Sequence, residues 1–309
     1  EQAIFSASRL NVLALMFCLM VGTVGLPHLL TRFFTTPTVA ESRVSVAWSL
    51  FFIAILYVSA PALAVLVKYE ILTNLVGQSF DSLPAWIAQW ARLDPYLLSA
   101  QDVNGDGILQ LGELKMGADI IMLATPELAG LPYVVSGLVA AGGLAAALST
   151  ADGLLLTIGN ALARDIYYRE WAPKASAGRL VILSKFILLT VAMVAAYVAA
   201  QKPGEILFLV AAAFSLAGAA FVPAMVLGIF SRSTTSAGAI AGMLSGLGLT
   251  VFYMASQSAS IRAQFGVMGP AQLWFEIQPI SAGVFGIPCG FVVTWLVSKL
   301  TFDLDRNRP

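Results

Sequence analysis

Residues 142–153 read GGLAAALSTADG, a stretch of small and polar side chains inside an apolar run that covers roughly 132–163. A helix needs about 20 mainly apolar residues to cross a bilayer, and this run is long enough. The 309-residue chain is 59% hydrophobic and only 11% charged, whereas soluble proteins carry about 25% charged residues. The sequence therefore predicts an all-α integral membrane protein.

Seven stretches have the length and hydropathy of membrane spans, which predicts about seven transmembrane helices. With Glu1 outside, 11 Lys and Arg residues flank the inner ends of the spans and 6 flank the outer ends. This positive-inside bias predicts a multi-pass protein of the plasma (bacterial inner) membrane, with an external loop at 70–130 and a cytoplasmic C-terminus. The spans are roughly 10–35, 44–68, 132–163, 180–200, 205–231, 236–256 and 278–300.

Charge and cysteine content exclude several classes of function. The 17 basic and 17 acidic residues balance, so neither a nucleic-acid binder nor an acidic tail is expected. Cys18 and Cys289 lie in apolar runs far apart, which argues against a disulfide scaffold and a Cys-rich metal site. The chain begins at Glu1 without Met or a signal peptide, and we expect a transporter domain over 1–309 that is truncated at its N-terminus.

Within the external loop, residues 102–113 match the twelve-position calcium loop of EF-hands. Gly107 stands at the position of the sharp turn. The alternative is a polar turn that binds nothing. The predicted calcium ligands are Asp102, Asn104, Asp106, the carbonyl of Ile108, and Glu113.

The polar stripe of residues 142–153 is the first candidate transport site. Ser149 and Thr150 follow Ala146 by one helical turn, so the Ala146 carbonyl and two hydroxyls can converge on a small, hard cation. The alternative is a packing seam between helices, where small residues and hydroxyls are common.

Asp152 is the one ionisable residue in the middle of that span. Arg164 is three turns away, too far for a pair on the same helix. Asp152 therefore pairs with another span, contacts an ion or water, or is protonated, and an ionisable group at this depth is a candidate functional residue.

The first span contains an interruption, because Gly22, Gly25 and Pro27 stand in an otherwise apolar run. Proline removes a helical hydrogen bond and disfavours helical geometry at the residue before it. Transporters bind substrates at discontinuous helices of this kind. A simple proline kink is the alternative. His28, the only histidine, is interpreted as a hydrogen-bonded interior residue, since no second metal ligand lies near it.

Three groups of motifs together resemble the C-terminal part of the sodium:solute symporter family, in particular its cation/acetate symporter-like branch with a large external loop. That resemblance implies a fold of two inverted five-helix repeats with alternating access, of which this chain corresponds to the second half. The motifs are Gly22-Thr23-Val24-Gly25-Leu26-Pro27-His28 with Arg32-Phe33-Phe34-Thr35, Ala146-Ala147-Leu148-Ser149-Thr150-Ala151-Asp152-Gly153 with Arg164-Asp165-Ile166-Tyr167, and Pro223-Ala224-Met225-Val226-Leu227-Gly228-Ile229-Phe230 with Gly238-Ala239.

The resemblance also implies residue roles. It makes Ala146, Ser149 and Thr150 the sodium-binding triplet on the family's eighth core helix. The family's first core helix, which completes the sodium site and the substrate pocket, has no counterpart here, so the polypeptide alone is not expected to transport. Candidate substrate-binding or gating residues are Gly22, Thr23, Gly25, His28 and Asp152.

The predicted function is sodium-coupled symport of a small organic solute, a monocarboxylate such as acetate. Sodium is the expected ion, with calcium at the external loop, and the partners are the carboxylate solute and the lipid bilayer. Two alternatives are a proton-coupled symporter, which Asp152 would allow, and a transporter-like module of a membrane sensor. An intramembrane enzyme using Asp152 and His28 is disfavoured, because no nucleophile or second histidine accompanies them.

Overall fold

The structure is a computed structural model that describes residues 9–33, 36–117, 120–201, 206–264, 266 and 273–306. Eleven α-helices lie within these ranges, and two short strands, β1 (Leu98–Ala100) and β2 (Leu114–Met116), pair antiparallel. The helices are α1 (Arg9–Val24), α2 (Pro27–Phe33), α3 (Val39–Glu70), α4 (Ala85–Leu93), α5 (Ile121–Leu128), α6 (Tyr133–Asn160), α7 (Ala177–Ala200), α8 (Ile206–Phe230), α9 (Ser236–Gln257), α10 (Ala259–Gln264) and α11 (Gly283–Arg306).

Short helices of other types extend or link these elements. α3 and α6 continue as π-helical segments at Ile71–Leu75 and Ala161–Trp171. Turns of 3-10 helix occur at Phe80–Ser82, Trp274–Glu276 and Pro279–Ser281.

Six helices in the described part of the chain are long and apolar enough to cross a membrane. They match six of the seven predicted spans, and the all-α membrane fold is confirmed. The first predicted span is broken into α1 and α2, of 16 and 7 residues. Residues 34, 35 and 205, at the ends of two predicted spans, lie outside the described residues. The six helices are Val39–Leu75, Tyr133–Trp171, Ala177–Ala200, Ile206–Phe230, Ser236–Gln257 and Pro279–Phe302.

The described residues fall into two compact units, one within Glu1–Arg32 and Thr190–Pro309, the other within Phe33–Leu189. In the first unit α8, α9 and α11 pack against one another, and α1 packs on α8. In the second unit α5 packs on α6 and on α3.

Small residues form the seam between α9 and α11. A Cβ added at Gly242 would lie 2.8 Å from the carbonyl oxygen of Gly290, and one added at Gly246 would lie 3.0 Å from that of Gly286. The missing side chains allow the two backbones to approach closely. Close approach is how apolar helices gain packing energy inside a membrane, where no hydrophobic force drives them together.

Residues 277–282, which directly precede α11, form a largely buried segment of the first unit. Four side chains from three other helices bind its backbone, which supplies the partners that a non-α-helical segment needs when it is buried. The Gln278 N–H donates to Asn11 Oδ1 (2.8 Å), Cys18 Sγ donates to the Ser281 carbonyl (3.3 Å), Ser215 Oγ to that of Ile280 (2.6 Å) and Tyr253 Oη to that of Ile277 (2.6 Å).

Residues 71–128 of the second unit have a hydrophobic core of their own. The amphipathic α4 contributes Ile87, which is 3% exposed, and Trp90 Nε1 donates to Glu127 Oε2 (2.8 Å). Trp86 and Trp90, both half-buried, pack against this core. The core offers the indoles apolar partners within the same unit. Its buried members are Leu75, Ile87, Leu98, Leu109, Leu114, Ile120 and Ala124.

We expect Gly246→Ala to destabilise the first unit. The new Cβ would overlap the carbonyl oxygen of Ala219 in α8 as well as crowd Gly286, and both contacts are with backbone, which cannot rotate away. Overpacking of this kind costs about 1–3 kcal/mol. Thermal unfolding of the purified protein in detergent should show a clearly lower Tm.

Gly248→Ala is the matched control, because it lies on the same helix and a Cβ there meets nothing within 4 Å. Its Tm should equal that of the wild type or exceed it. Equal Tm values for the two variants would contradict the tight seam.

Candidate functional site

The predicted sodium triplet lies on one face of α6. Thr150 Oγ1 donates to the Ala146 carbonyl oxygen at 3.1 Å, and Ser149 lies beside them on the exposed surface of the helix. The structure therefore brings two of the three predicted oxygen ligands together. Two oxygens 3.1 Å apart can both ligate one cation at about 2.4 Å, a usual distance for oxygen ligands of Ca²⁺, an ion of similar size.

A hydroxyl that bonds to the carbonyl four residues earlier is not specific to ion sites. Thr157 of α6 makes the same bond to the Gly153 carbonyl at 2.8 Å, and Thr250 of α9 makes it to that of Gly246. The adjacent Ser149 distinguishes Thr150, because it adds a second hydroxyl to the carbonyl–hydroxyl pair. The donor set of one carbonyl and two hydroxyls fits a small, hard cation.

Asp152 lies one turn beyond Ser149 and is exposed on the surface of α6. Within the part of the chain that the structure describes, its carboxylate forms no ion pair. The prediction that Arg164 is too distant to pair with it agrees with this geometry. Which of the three predicted roles Asp152 has stays a prediction.

The predicted interruption in the first span is present at residues 25–26. The Gly25 N–H donates to the Gly22 carbonyl (2.9 Å) and the Leu26 N–H to that of Thr23 (3.4 Å), after which α2 begins at Pro27. These bonds tighten the end of α1 and allow the chain to restart as a new helix.

Gly22 and Gly25 also have a packing role that the sequence interpretation did not include. A Cβ at Gly22 would lie 2.5 Å from the Phe214 carbonyl oxygen of α8, and one at Gly25 would lie 2.7 Å from that of Ala217. Thr23 is exposed and donates its hydroxyl to the Leu19 carbonyl (2.7 Å). His28 is half-buried on α2, and its predicted role in substrate binding stays a prediction.

The candidate calcium loop folds around its own carboxylates. Asp102 accepts the N–H groups of Gly105 (2.7 Å) and Gly107 (2.9 Å), and both glycines have positive φ, 76° and 71°. Glu113, which is 7% exposed, accepts the N–H groups of Val103 (2.9 Å) and Gln110 (3.0 Å). Acidic oxygens therefore hold both ends of the loop.

Asp106 stands at the centre of the loop. The Ile108 N–H (2.8 Å), with the side-chain amides of Asn104 and Gln110, holds the pKa of Asp106 below its usual value, because these donors stabilise the charged form. Among the described residues, no three His, Cys, Asp or Glu side chains are grouped as metal ligands. The predicted ligands thus share a loop but are directed to backbone donors.

Leu109 ties the loop to the rest of the second unit. It is fully buried, and its N–H donates to the Gln78 carbonyl (2.8 Å) while its own carbonyl accepts from the Gly77 N–H (2.9 Å). The loop is thus anchored on the hydrophobic core of residues 71–128.

Comparison with known proteins connects α6 with transport. Residues 117–246, which contain all of α6 and the triplet, match the model of the sodium:solute symporter family. Residues 117–246 belong to that family. The resemblance on which the sequence prediction rested is therefore confirmed.

Relatives of this symporter segment extend the match beyond those residues. An uncharacterized symporter of Cupriavidus necator is 55% identical over 301 residues, which cover 97% of this chain and 43% of the relative. A monocarboxylic acid transporter of Corynebacterium glutamicum is 24% identical over 94% of this chain and 46% of its own length. A sodium/proline symporter of Haemophilus influenzae is 25% identical over 75% of this chain and 39% of its own length. The chain spans less than half the length of these relatives.

Sequence reasoning missed the side chains that hold residues 277–282. It considered Cys18 only as a disulfide or metal candidate and did not single out Asn11, Ser215 or Tyr253. The available signal was weak: Asn11 is a strongly polar residue in an apolar helix, and such residues have interior partners as a rule.

We expect Gly107→Ala to loosen the loop at 102–113. Its φ of 71° is unfavourable for a residue with a Cβ, by about 1 kcal/mol, although space for a methyl group is free. Hydrogen exchange of the Leu109 amide should become faster, since that amide is protected only while the loop stays on the core.

Gly112→Ala serves as the control, because Gly112 lies in the same loop, has no positive φ and has nothing within 4 Å of a Cβ. Its exchange rate should stay unchanged. Acceleration in both variants would mean that backbone geometry at Gly107 is not the cause.

Proposed function

We propose that this chain is part of a sodium-coupled symporter, in which the Ala146 carbonyl and the hydroxyls of Ser149 and Thr150 bind the sodium ion. The observation that carries the proposal is the 3.1 Å pair formed by Thr150 and Ala146, within the segment that matches the symporter family. A carbonyl and two hydroxyls are oxygen ligands without formal charge, so they would hold a monovalent cation through their dipoles alone.

The proposed solute is a small monocarboxylate such as acetate. The motifs quoted above favour this class, and one relative carries the name monocarboxylic acid transporter. Other relatives are named as a sodium/proline symporter and a high-affinity proline transporter, and proline is therefore the comparison solute. Both solutes carry a carboxylate, and transporters bind substrates of this kind at interrupted helices.

The interrupted helix at residues 22–28 is the proposed substrate contact, with Gly22, Thr23, Gly25 and His28 as its candidates. The close packing of Gly22 and Gly25 on α8 supports a fixed position for the break. Asp152 is the proposed gating residue. Proton coupling is the second candidate, and it is favoured by the carboxylate of Asp152, which is exposed and has no ion partner among the residues that the structure describes.

We expect the double change Ser149→Ala with Thr150→Ala to remove sodium activation of uptake. The measurement is uptake of labelled acetate, with labelled proline in parallel, by proteoliposomes that hold the protein at its full natural length. The concentration of sodium for half-maximal uptake should rise at least tenfold, because two of three proposed ligands are lost. An imposed proton gradient without sodium tests the alternative.

Thr157→Ala is the matched control, since Thr157 makes the same hydroxyl–carbonyl bond on the same helix outside the triplet. Its sodium dependence should equal that of the wild type. Unchanged sodium activation in the double variant would disprove the triplet. Uptake driven by protons alone, and lost in Asp152→Asn, would favour proton coupling.

We also propose an orientation and an external calcium site. The positive-inside bias supports a cytoplasmic C-terminus and an external domain at 70–130. The twelve-residue pattern at 102–113 and the two glycines at positive φ support calcium binding there. Binding requires the carboxylates of Asp102, Asp106 and Glu113 to turn from their backbone donors to the ion.

We expect calcium at millimolar concentration to raise the Tm of the protein, and EGTA to abolish the rise, since an ion that binds only the folded loop stabilises it. Glu113→Gln should remove the effect, while Glu127→Gln, a change of the same kind outside the loop, should retain it. A Tm that does not depend on calcium in the wild type would refute the site.

A further inference from the structure

An open cavity of about 380 Å³ lies where the π-helical continuation of α6 ends and α7 begins. Its volume falls in the range of small-molecule sites, about 300–1,000 Å³. Nothing in the proposed transport function uses it. The lining residues are Trp171, Ala172, Pro173, Lys174, Ala175 and Arg179.

The cavity carries two positive charges and no negative one. Lys174 and Arg179 line it, and neither forms an ion pair within the described part of the chain. The surrounding stretch from 164 to 185 has five basic and two acidic residues, so the local charge is +3. These residues are Arg164, Asp165, Arg169, Glu170, Lys174, Arg179 and Lys185.

The N-terminal end of α7 adds a dipole that favours an anion in the cavity. The Arg179 N–H donates to Ser176 Oγ (3.4 Å) at the first turn of this 24-residue helix, and the N-terminal end of a helix has partial positive charge. The helix terminus and the two cations therefore all attract an anion.

The length of α7 places the cavity at the bilayer surface. Its 24 residues span about 36 Å, against a hydrocarbon core of about 30 Å. All of α7 has the length and hydropathy of a membrane span, and Arg179 lies in its first turn, at the end beside the cavity. Trp171, which is 77% exposed, is a residue favoured at the headgroup level.

We propose that this cavity binds the phosphate of an anionic phospholipid headgroup. Lys174 and Arg179 neutralise the phosphate, and Trp171 lies against the lipid at the level of the headgroup. Clusters of Lys and Arg directly beside a membrane helix bind anionic headgroups in other proteins. A soluble phosphate has the same chemistry, but the position at the membrane surface favours the lipid as its source.

The test uses nanodiscs of phosphatidylcholine with increasing phosphatidylglycerol that carries a headgroup photo-crosslinker. Peptide mapping should locate the adduct within residues 171–179. In Lys174→Gln with Arg179→Gln, the phosphatidylglycerol fraction for half-maximal labelling should rise about 25-fold, since each surface cation contributes about fivefold.

Arg169→Gln with Lys185→Gln is the matched control, because it removes the same charge from the same stretch without touching the cavity lining. It should retain the adduct at 171–179. The proposal would be overturned if both double variants lost the adduct equally, or if labelling were unchanged in Lys174→Gln with Arg179→Gln. Equal labelling by a phosphatidylcholine probe would also overturn it.

Competition separates the two sources of phosphate. Inorganic phosphate or glycerol 3-phosphate at 10-fold excess over the lipid should leave the adduct in place. Displacement by either compound would assign the cavity to a soluble phosphate and overturn the lipid assignment. Neither outcome depends on transport activity.

Discussion

Backbone N–H and C=O groups inside a bilayer must find hydrogen-bond partners within the protein, and the first compact unit depends on this constraint. Among its described residues, buried backbone leaves the α-helical conformation at two places. At residues 25–26 two N–H groups bond back to the last turn of α1. At residues 277–282 the N–H groups of Ser281 and Ala282 bond within the segment, and side chains of α1, α8 and α9 provide further partners.

The small residues of this unit also help its buried backbone to find hydrogen-bond partners. Cysteine and serine are short donors, so they reach the backbone of residues 277–282 only if the helices lie very close together. Gly283 permits this, because a Cβ there would lie 3.0 Å from the Ser215 Cα and 3.1 Å from Cys18 Sγ. The hydrogen bonds to residues 277–282 therefore depend on the close packing of the helices. A methyl group added at Gly283 would weaken both.

The sequence was sufficient for features that depend on local chemistry. Apolar runs predicted the long helices, Pro27 predicted the break, and the pattern at 102–113 predicted the turn at Gly107. The separate, non-α-helical conformation of residues 277–282 could not be predicted, because the predicted span ran from 278 without a break. Their partners are up to 267 residues away in sequence, so only tertiary structure reveals them.

The hydroxyls of α6 differ from those of the first unit in what covers them. Thr250 and Thr294 are fully buried, so their small size is explained by the helices packed on them. Thr150 and Ser149 are exposed on an apolar helix. A surface that faces lipid is better served by Leu or Val, since hydroxyls gain nothing from hydrocarbon. Thr150 satisfies its hydroxyl within the helix, but the adjacent pair of small polar residues is better matched to a polar neighbour, an ion or another helix, than to hydrocarbon.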